Sequence, residues 1–340
     1  MAAYTTIDDP ELYFQVKAYA GTDASPQAFT LDGDEDMQPD LVWIKNRGYA
    51  NKHVLFDSVR GVNKSLTTDS NAAEVDQNSD GGYVSAFGSD GFTLTEGSSS
   101  DNDTNDDRYT YVAWCWKESA TAGFDIVSFT GNDTARTISH SLSAVPNMMI
   151  LKDRDAGNDW FIYHSGNTSS PETDYLKLNS TAATADLNTL WNDTAPTSSV
   201  FTIGTNGNIN TTGNDYIAYL FTEKQGFSKF GSYTGNGSTD GAFIYTGFRP
   251  AQVILKATNT AQGWFMVDSK RSPFNPCDGS LHPNATAAED TSSDFFIDLN
   301  SNGFKLRDSD AQLNGSYTYM YMAFAEAPFV NSNGVPCNAR

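Results

Sequence analysis

"DLVWIK", residues 40–45, follows Pro39 and ends on Lys45. The phrase returns as "NMMILK" (147–152) after Pro146 and as "AQVILK" (251–256) after Pro250, placing Lys45, Lys152 and Lys256 about 105 residues apart. Its flanks return with it. An aromatic-rich stretch with a polar end follows each time: "HVLFDS" (53–58), "WFIYHS" (160–165) and "WFMVDS" (264–269). An Asn/Ala/Thr cluster comes next, in "NAAE" (71–74), "NSTAATAD" (179–186) and "NATAAED" (284–290). Then come the short runs "DGFTL" (90–94), "SVFTI" (199–203) and "NGFKL" (302–306). Tyrosine-rich strands close the units at "YTYVAWCW" (109–116), "DYIAYLF" (215–221) and "YTYMYMAF" (317–324). Five phrases in one order at one period predict an internal triplication.

The period matches a self-sufficient domain rather than a solenoid turn. Aromatic and β-branched residues alternate with polar ones, and Gly/Asn/Ser/Thr clusters such as "GTNGNINTTGND" (204–215) mark turns. The best helix candidate, the Ala/Thr cluster near 180–189, is short and rich in poor helix formers. The expected class is all-β: three tandem antiparallel β-sandwich repeats, jelly-roll-like or lectin-like, of about 100 residues each. Their expected bounds are 13–118, 119–227 and 228–329, with an anchoring arm over 1–12 and a tail over 330–340. The prolines belong at strand starts, because proline donates nothing to a ladder. The unbroken apolar runs after them predict strands buried on both faces. The lysines read as strand-end cations with solvated heads.

With 21 basic and 42 acidic residues the formal net charge is −21, a field that repels nucleic-acid phosphates. Three sparse cysteines, Cys115, Cys277 and Cys337, do not make a disulfide framework, and a Cys277–Cys337 bridge is left open. Four dispersed histidines and no CxxC pair argue against a zinc site. The opening "MAAYTTIDDPELYF" has neither a basic nor an apolar signal region, and no apolar run approaches membrane-spanning length. The N-x-[ST] triplets are read as turn residues. The acidic clusters "DGDED" (32–36) and "DNDTNDD" (101–107) lack the EF-hand pattern and leave room only for a structural calcium ion in a loop. No other metal and no cofactor is expected.

No nucleophile-elbow, phosphate-loop or zinc-protease motif occurs. Asp57 and Asp268 hold matching places, with His164 in the middle repeat; one per domain, they are expected far apart and bonded to their own turns. Repetition suits avidity better than a single catalytic centre, so no enzyme is expected. Candidate contact loops are 97–107, 204–214 and 234–241. Candidate ligand-binding residues are Asn206, Asn208, Asn236 and Asp240, for adaptable hydrogen bonding, and Trp160 and Trp264, which could either stack on sugars or pack the core.

"GFSKFGSYTGNGSTDGAFIYTGFRPAQVILK" (226–256), "SNGFKLR" (301–307) and "AFAEAPFVNSNGVPCNAR" (323–340), with "TTIDDPELYFQVKAY" (5–19) and "FDSVRGVNKSL" (56–66), resemble a repeat family of marine tailed-phage virion proteins. The likeness runs over nearly the whole chain. It implies a non-enzymatic virion surface protein of tail-fibre or appendage type, extracellular after lysis, attaching to a host-surface polysaccharide or receptor. The alternative is a capsid or tail decoration (cement) protein. The resemblance also implies contacts with other virion proteins and a homo-oligomer, a trimer above all. No nucleic-acid partner and no membrane insertion are expected.

Overall fold

The computed structural model describes residues 4–77, 82–96, 104–292 and 295–337. It is all-β, with antiparallel strands throughout and only short helical turns such as Asn188–Trp191 and Gly207–Asn210. Three main sheets carry the chain. In spatial order the first runs Phe14–Ala20, Thr110–Trp116, Leu41–Asn46, His53–Asp57, Lys64–Thr67, Val75–Asp76. The second runs Phe124–Thr130, Asp215–Phe221, Met148–Asp153, Phe161–His164, Asp174–Lys177, Ala185–Asp186. The third runs Ser228–Thr234, Thr318–Pro328, Phe248–Ala257, Trp264–Asp268. The first four strands of each sheet follow one order. The closing Tyr-rich strand lies between the opening strand and the strand of the "DLVWIK" phrase.

A smaller sheet or ribbon covers one face of each main sheet: Gln27–Phe29 with Gly91–Thr95 and Tyr83–Gly88, then Arg136–Ser139 with Val200–Ile203, then Phe243–Tyr245 with Gly303–Leu306 and Ile297–Asn300. Side chains alternate along a strand, so each main strand feeds two cores. Val42, Ile44, Tyr111 and Ala113 point into the first sandwich against Val84, Phe92 and Leu94. Met149, Leu151 and Leu220 meet Ile138, Phe201 and Ile203 in the second. Val253, Leu255 and Ala323 meet Ile244, Phe304 and Leu306 in the third.

The alternate residues of all three main sheets meet in one central core. Trp43, Trp114 and Trp116 join Ile150, Trp160, Tyr219 and Phe221 of the second sheet and Ile254, Trp264, Met322 and Phe324 of the third. Phe14 stacks on Phe324 at 5.0 Å between centroids, and Trp116 meets Phe221 at 6.5 Å, so aromatic pairs cross every boundary. This is why the phrases beginning at Asp40, Asn147 and Ala251 read as continuous apolar runs. One face packs on the small sheet and the other on the two neighbouring main sheets.

Pro250 departs from the strand-start expectation. It lies inside the longer strand Phe248–Ala257, where the register shifts on both sides of it, and the bulge absorbs its missing donor. The start of the chain reaches across the units at the second–third boundary. Thr5 Oγ1 donates to the Gln225 carbonyl at 2.7 Å, Tyr4 Oη donates to the Gly247 carbonyl at 2.8 Å, and Ile7 enters the central core. The tail turns back on itself at Val330–Pro336, and Ser332 N donates to Asp8 at 2.6 Å.

Candidate binding site at the sandwich junctions

The Asn/Ala/Thr cluster of each sandwich is stitched to the next one. Glu74 N donates to Arg154 O at 2.7 Å, Thr184 N to Thr258 O at 2.8 Å, and Glu289 N to Arg47 O at 2.9 Å. First joins second, second joins third, third joins first, and the ring closes within one chain. Two tryptophans reinforce it. Trp160 Nε1 donates to Thr67 O and Trp264 Nε1 to Lys177 O, both at 2.9 Å. At the third junction the matching residue is His53, whose Nδ1 accepts from Trp43 Nε1 at 3.1 Å. Burial drives His53 well below its ordinary range, with Lys45, His282 and Arg271 adding to the effect. Trp160 and Trp264 are 0% exposed, so neither ring is open to a sugar.

The three lysines are buried rather than solvated. Each strand ends one residue later, at Asn46, Asp153 and Ala257, and the ammonium turns onto carbonyls there instead of reaching water. Lys45 Nζ donates to the carbonyls of Asn46 (2.9 Å), Tyr49 (3.3 Å) and, in the third sandwich, Thr286 (3.1 Å). Lys152 Nζ donates to Asp153 O and Ala156 O, and Lys256 Nζ to Ala257 O at 2.7 Å and Thr181 O of the second sandwich at 3.4 Å. Burial lowers all three to about 8.

Asp57, Asp268 and His164 each accept from their own turn, from Arg60 N, Arg271 N and Gly166 N, as expected, and each also bonds across a boundary. Asp57 accepts from Tyr219 Oη of the second sandwich at 2.7 Å, and Asp268 accepts from Trp114 Nε1 of the first at 3.0 Å. His164 Nδ1 accepts from Gly166 N, so its Nε2 donates to Tyr321 O of the third at 3.0 Å. Two of these junctions hold buried ion networks. Asp57 pairs with Arg60, whose Nη1 reaches Glu74 at 3.1 Å, and Glu74 also takes Arg154 of the second sandwich at 2.9 Å. Asp268 pairs with Arg271 at 2.6 Å, Arg271 reaches Glu289 at 2.6 Å, and Glu289 takes Arg47 of the first sandwich at 2.8 Å. Burial alone would lower Arg60 and Arg271; the carboxylates around them raise both instead.

The junction of the second and third sandwiches is built differently. In the aligned phrases Asn167 stands where Arg60 and Arg271 stand, Thr184 where the glutamates stand, and Thr258 where Arg154 and Arg47 stand. Thr184 Oγ1 donates to Asn167 Oδ1 at 2.6 Å, a neutral echo of the Arg–Glu contact. The space the longer charged side chains would fill is an open groove of about 730 Å³. Ser165, Asn167, Thr184, Ser232, Thr258 and Thr318 are among the residues that line it, and none of the lining residues is charged or aromatic. Burial lowers His164, beside the groove, to about 4, so it stays neutral near pH 7. Lys256, at the same junction, is turned to the carbonyls of Thr181 and Ala257. The Asp-x-x-Arg spacing (57/60 and 268/271) with a later Glu, present in two repeats and absent from the middle one, was the signal in the sequence that marks this site.

The predicted loop residues build their loops. Asn206 caps the turn Gly207–Asn210 by accepting from Asn208 N at 2.9 Å. Asn236 accepts from Ser238 N and donates to Asp240 O, and the exposed Asp240 pairs with Lys305 at 2.8 Å. Behind these loops sits a recurrence that sequence reasoning missed. Buried Asn105, Asn210 and Asn314 accept from the backbone N–H of Thr22, Asn132 and Asn236, pinning one loop to another in each sandwich. The backbones lie so close there that a Cβ on Gly131 or Gly235 would come within 2.1 Å of a carbonyl oxygen. Residues 97–103 of the first predicted contact loop lie outside the described residues.

Asp23, Asp106 and Asp107 bring carboxylate oxygens within 4.8 Å of one another. Asp106 is already held by Arg108, and Asp23 Oδ1 accepts from Asp107 N. Glu118, raised to about 7 by burial and by its hydrogen bond to Asp125, does not line the groove, and Asp125 accepts from Ser141 N at 2.5 Å. Cys115, Cys277 and Cys337 are free thiols, the first two buried. Among the described residues no helix is long and apolar enough to cross a membrane.

Fold and junctions together define an all-β protein of packed antiparallel sandwiches. The chain belongs to the DUF7483 family, a domain of unknown function, matched over residues 9–328. That single match spans all three main sheets, so the family's unit is the whole ring. No curated protein and no solved structure matches the chain.

Proposed function

We propose that this protein is a non-enzymatic surface component of a phage particle, of tail-fibre or appendage type, that attaches to a host-surface saccharide or receptor. The observation that carries the reading is the uncharged groove between the second and third sandwiches, the one junction of three that holds no buried ion network among the described residues. Hydroxyl and amide side chains on a rigid sheet scaffold offer both donors and acceptors to a polar ligand. The resemblance to virion proteins supports the setting, and the homotrimer it implies belongs to the same reading; light scattering on the purified chain tests it. A glycan array probed with the purified chain, beside adsorption of particles to host cells in its presence, tests attachment. Selective glycan binding and competition for adsorption are expected; a blank array with undiminished adsorption overturns the reading.

A second reading, a lectin-like sandwich used only as a cement protein, is favoured by a different observation. Phe274 (82% exposed), Tyr245 (55%) and Phe243 (46%) lie on the outer part of the third sandwich, where rings of this size suit a protein partner. Phe274→Ser with Tyr245→Ser would then strip the protein from particles, and the wild-type chain would leave the glycan array blank.

A further inference from the structure

Asn167 is 4% exposed, and its Nδ2 has no hydrogen-bond partner among the described residues, although its Oδ1 is taken by Thr184. A buried amide donor left open is unfavourable unless something accepts from it. At the two equivalent positions Arg60 and Arg271 have full sets of partners: Arg60 reaches Asp57, Glu74, Lys64 O and Leu55 O, and Arg271 reaches Asp268, Glu289 and Met266 O. The middle repeat therefore keeps an unused donor, buried in the wall of the groove, at the position where its relatives in the same chain hold ion pairs. The rim repeats the chemistry: Ser165, Ser232, Thr258 and Thr318 carry hydroxyls that can give or take a hydrogen bond.

The geometry points to this groove as the binding site of a neutral, hydroxyl-rich saccharide, with Asn167 Nδ2 donating to a sugar oxygen and Thr184 holding the amide in place. The inference rests on the attachment reading above and names its site and ligand class. An anionic polysaccharide is disfavoured twice over. Among the described residues no cation lines the groove, and the chain carries a formal net charge of −21. Recognition depends on hydrogen bonds rather than ring stacking, because the lining holds no aromatic residue. Single-site affinity is therefore weak, and repeated copies on a particle would supply avidity.

The test uses the full chain with laminarihexaose and a neutral mannan oligomer as probes and polygalacturonate as the anionic comparator, read by ligand-observed NMR and titration calorimetry. The wild-type chain is expected to bind a neutral probe and not polygalacturonate. Asn167→Asp, which keeps the shape and loses the donor, is expected to weaken binding at least tenfold at a temperature where circular dichroism shows it folded, its melting temperature lowered by the unpaired buried carboxylate. Asn167→Arg with Thr184→Glu, which restores the Arg–Glu contact of the other two junctions without their aspartate, is expected to abolish binding in a chain that circular dichroism shows still folded. Neutral-probe binding unaffected by both variants overturns the assignment of the site while leaving attachment standing. Preference for polygalacturonate overturns the ligand class. No saccharide binding by any form, with adsorption competition intact, overturns the inference and leaves a protein receptor as the attachment target.

Discussion

Replacing Asp268 by alanine should cost the protein a large part of its stability, through a contact that joins two sandwiches. Asp268 and Arg271 both have fully buried side chains. The carboxylate accepts from Arg271 Nε at 2.6 Å, from Arg271 N at 2.8 Å and, across the boundary, from Trp114 Nε1 at 3.0 Å. Breaking a buried pair by removing one partner costs ~3–5 kcal/mol, because the remaining charge stays desolvated. An indole N–H left unpaired adds ~1–3 kcal/mol. Glu289, still bonded to Arg271 at 2.6 Å, offsets part of this, so a net loss of ~4 kcal/mol is expected. With a urea slope of ~3 kcal/mol per molar, the unfolding midpoint falls by ~1.3 M. Asp57→Ala should match it, since Asp57 is bonded to Arg60 and to Tyr219 Oη in the same way. A double-mutant cycle pairing Asp268→Ala with Trp114→Phe should return a coupling of ~1 kcal/mol across the boundary. A loss below ~1 kcal/mol for both aspartates, or no measurable coupling, would refute the reasoning.

The buried lysines make a second prediction, about pH. Lys45, Lys152 and Lys256 lie near 8 in the folded chain against 10.5 when exposed, so between those values the unfolded chain holds more protons and stability rises with pH. Above pH 9 the buried Cys115 and Cys277 thiols, pushed up by burial, act in the opposite sense, so the rise belongs to pH 8–9 and is read from urea midpoints there. Lys152→Met should reduce it by about a third, and a midpoint that falls from pH 8 to 9 would contradict the buried placement. Asn314→Ala removes an amide that donates to Asn236 Oδ1, Ser238 O and Asp308 O. It should cost ~1–3 kcal/mol by urea titration and speed hydrogen exchange around 234–241; an unchanged midpoint would deny its pinning role.

Much of the fold was legible because strands advertise their burial. The runs at 41–44, 148–151 and 253–255 are apolar on both faces, and the structure buries both. Nothing in those runs says what covers the second face, so the sequence reading allotted each sandwich a core of its own and missed the central one. The lysines were misread for the same reason. A Lys at the end of an apolar run ordinarily reaches water; here carbonyls of its own turn, joined for Lys45 and Lys256 by Thr286 O and Thr181 O of a neighbour, make its burial tolerable. Trp160 and Trp264, open to either sugar stacking or core packing on sequence grounds, are committed to neighbouring backbones. The groove itself was written in the differences between repeats. Asn167 and Thr184 replace Arg and Glu, a substitution that carries meaning only once the two charged versions are seen to close their junctions.

The central claim is that three sandwiches share one core and close a ring inside a single chain. Differential scanning calorimetry on the intact protein tests it most directly. A shared core predicts one transition whose calorimetric and van't Hoff enthalpies agree. Three resolved transitions, or a van't Hoff enthalpy near a third of the calorimetric one, would show sandwiches that melt independently and contradict it.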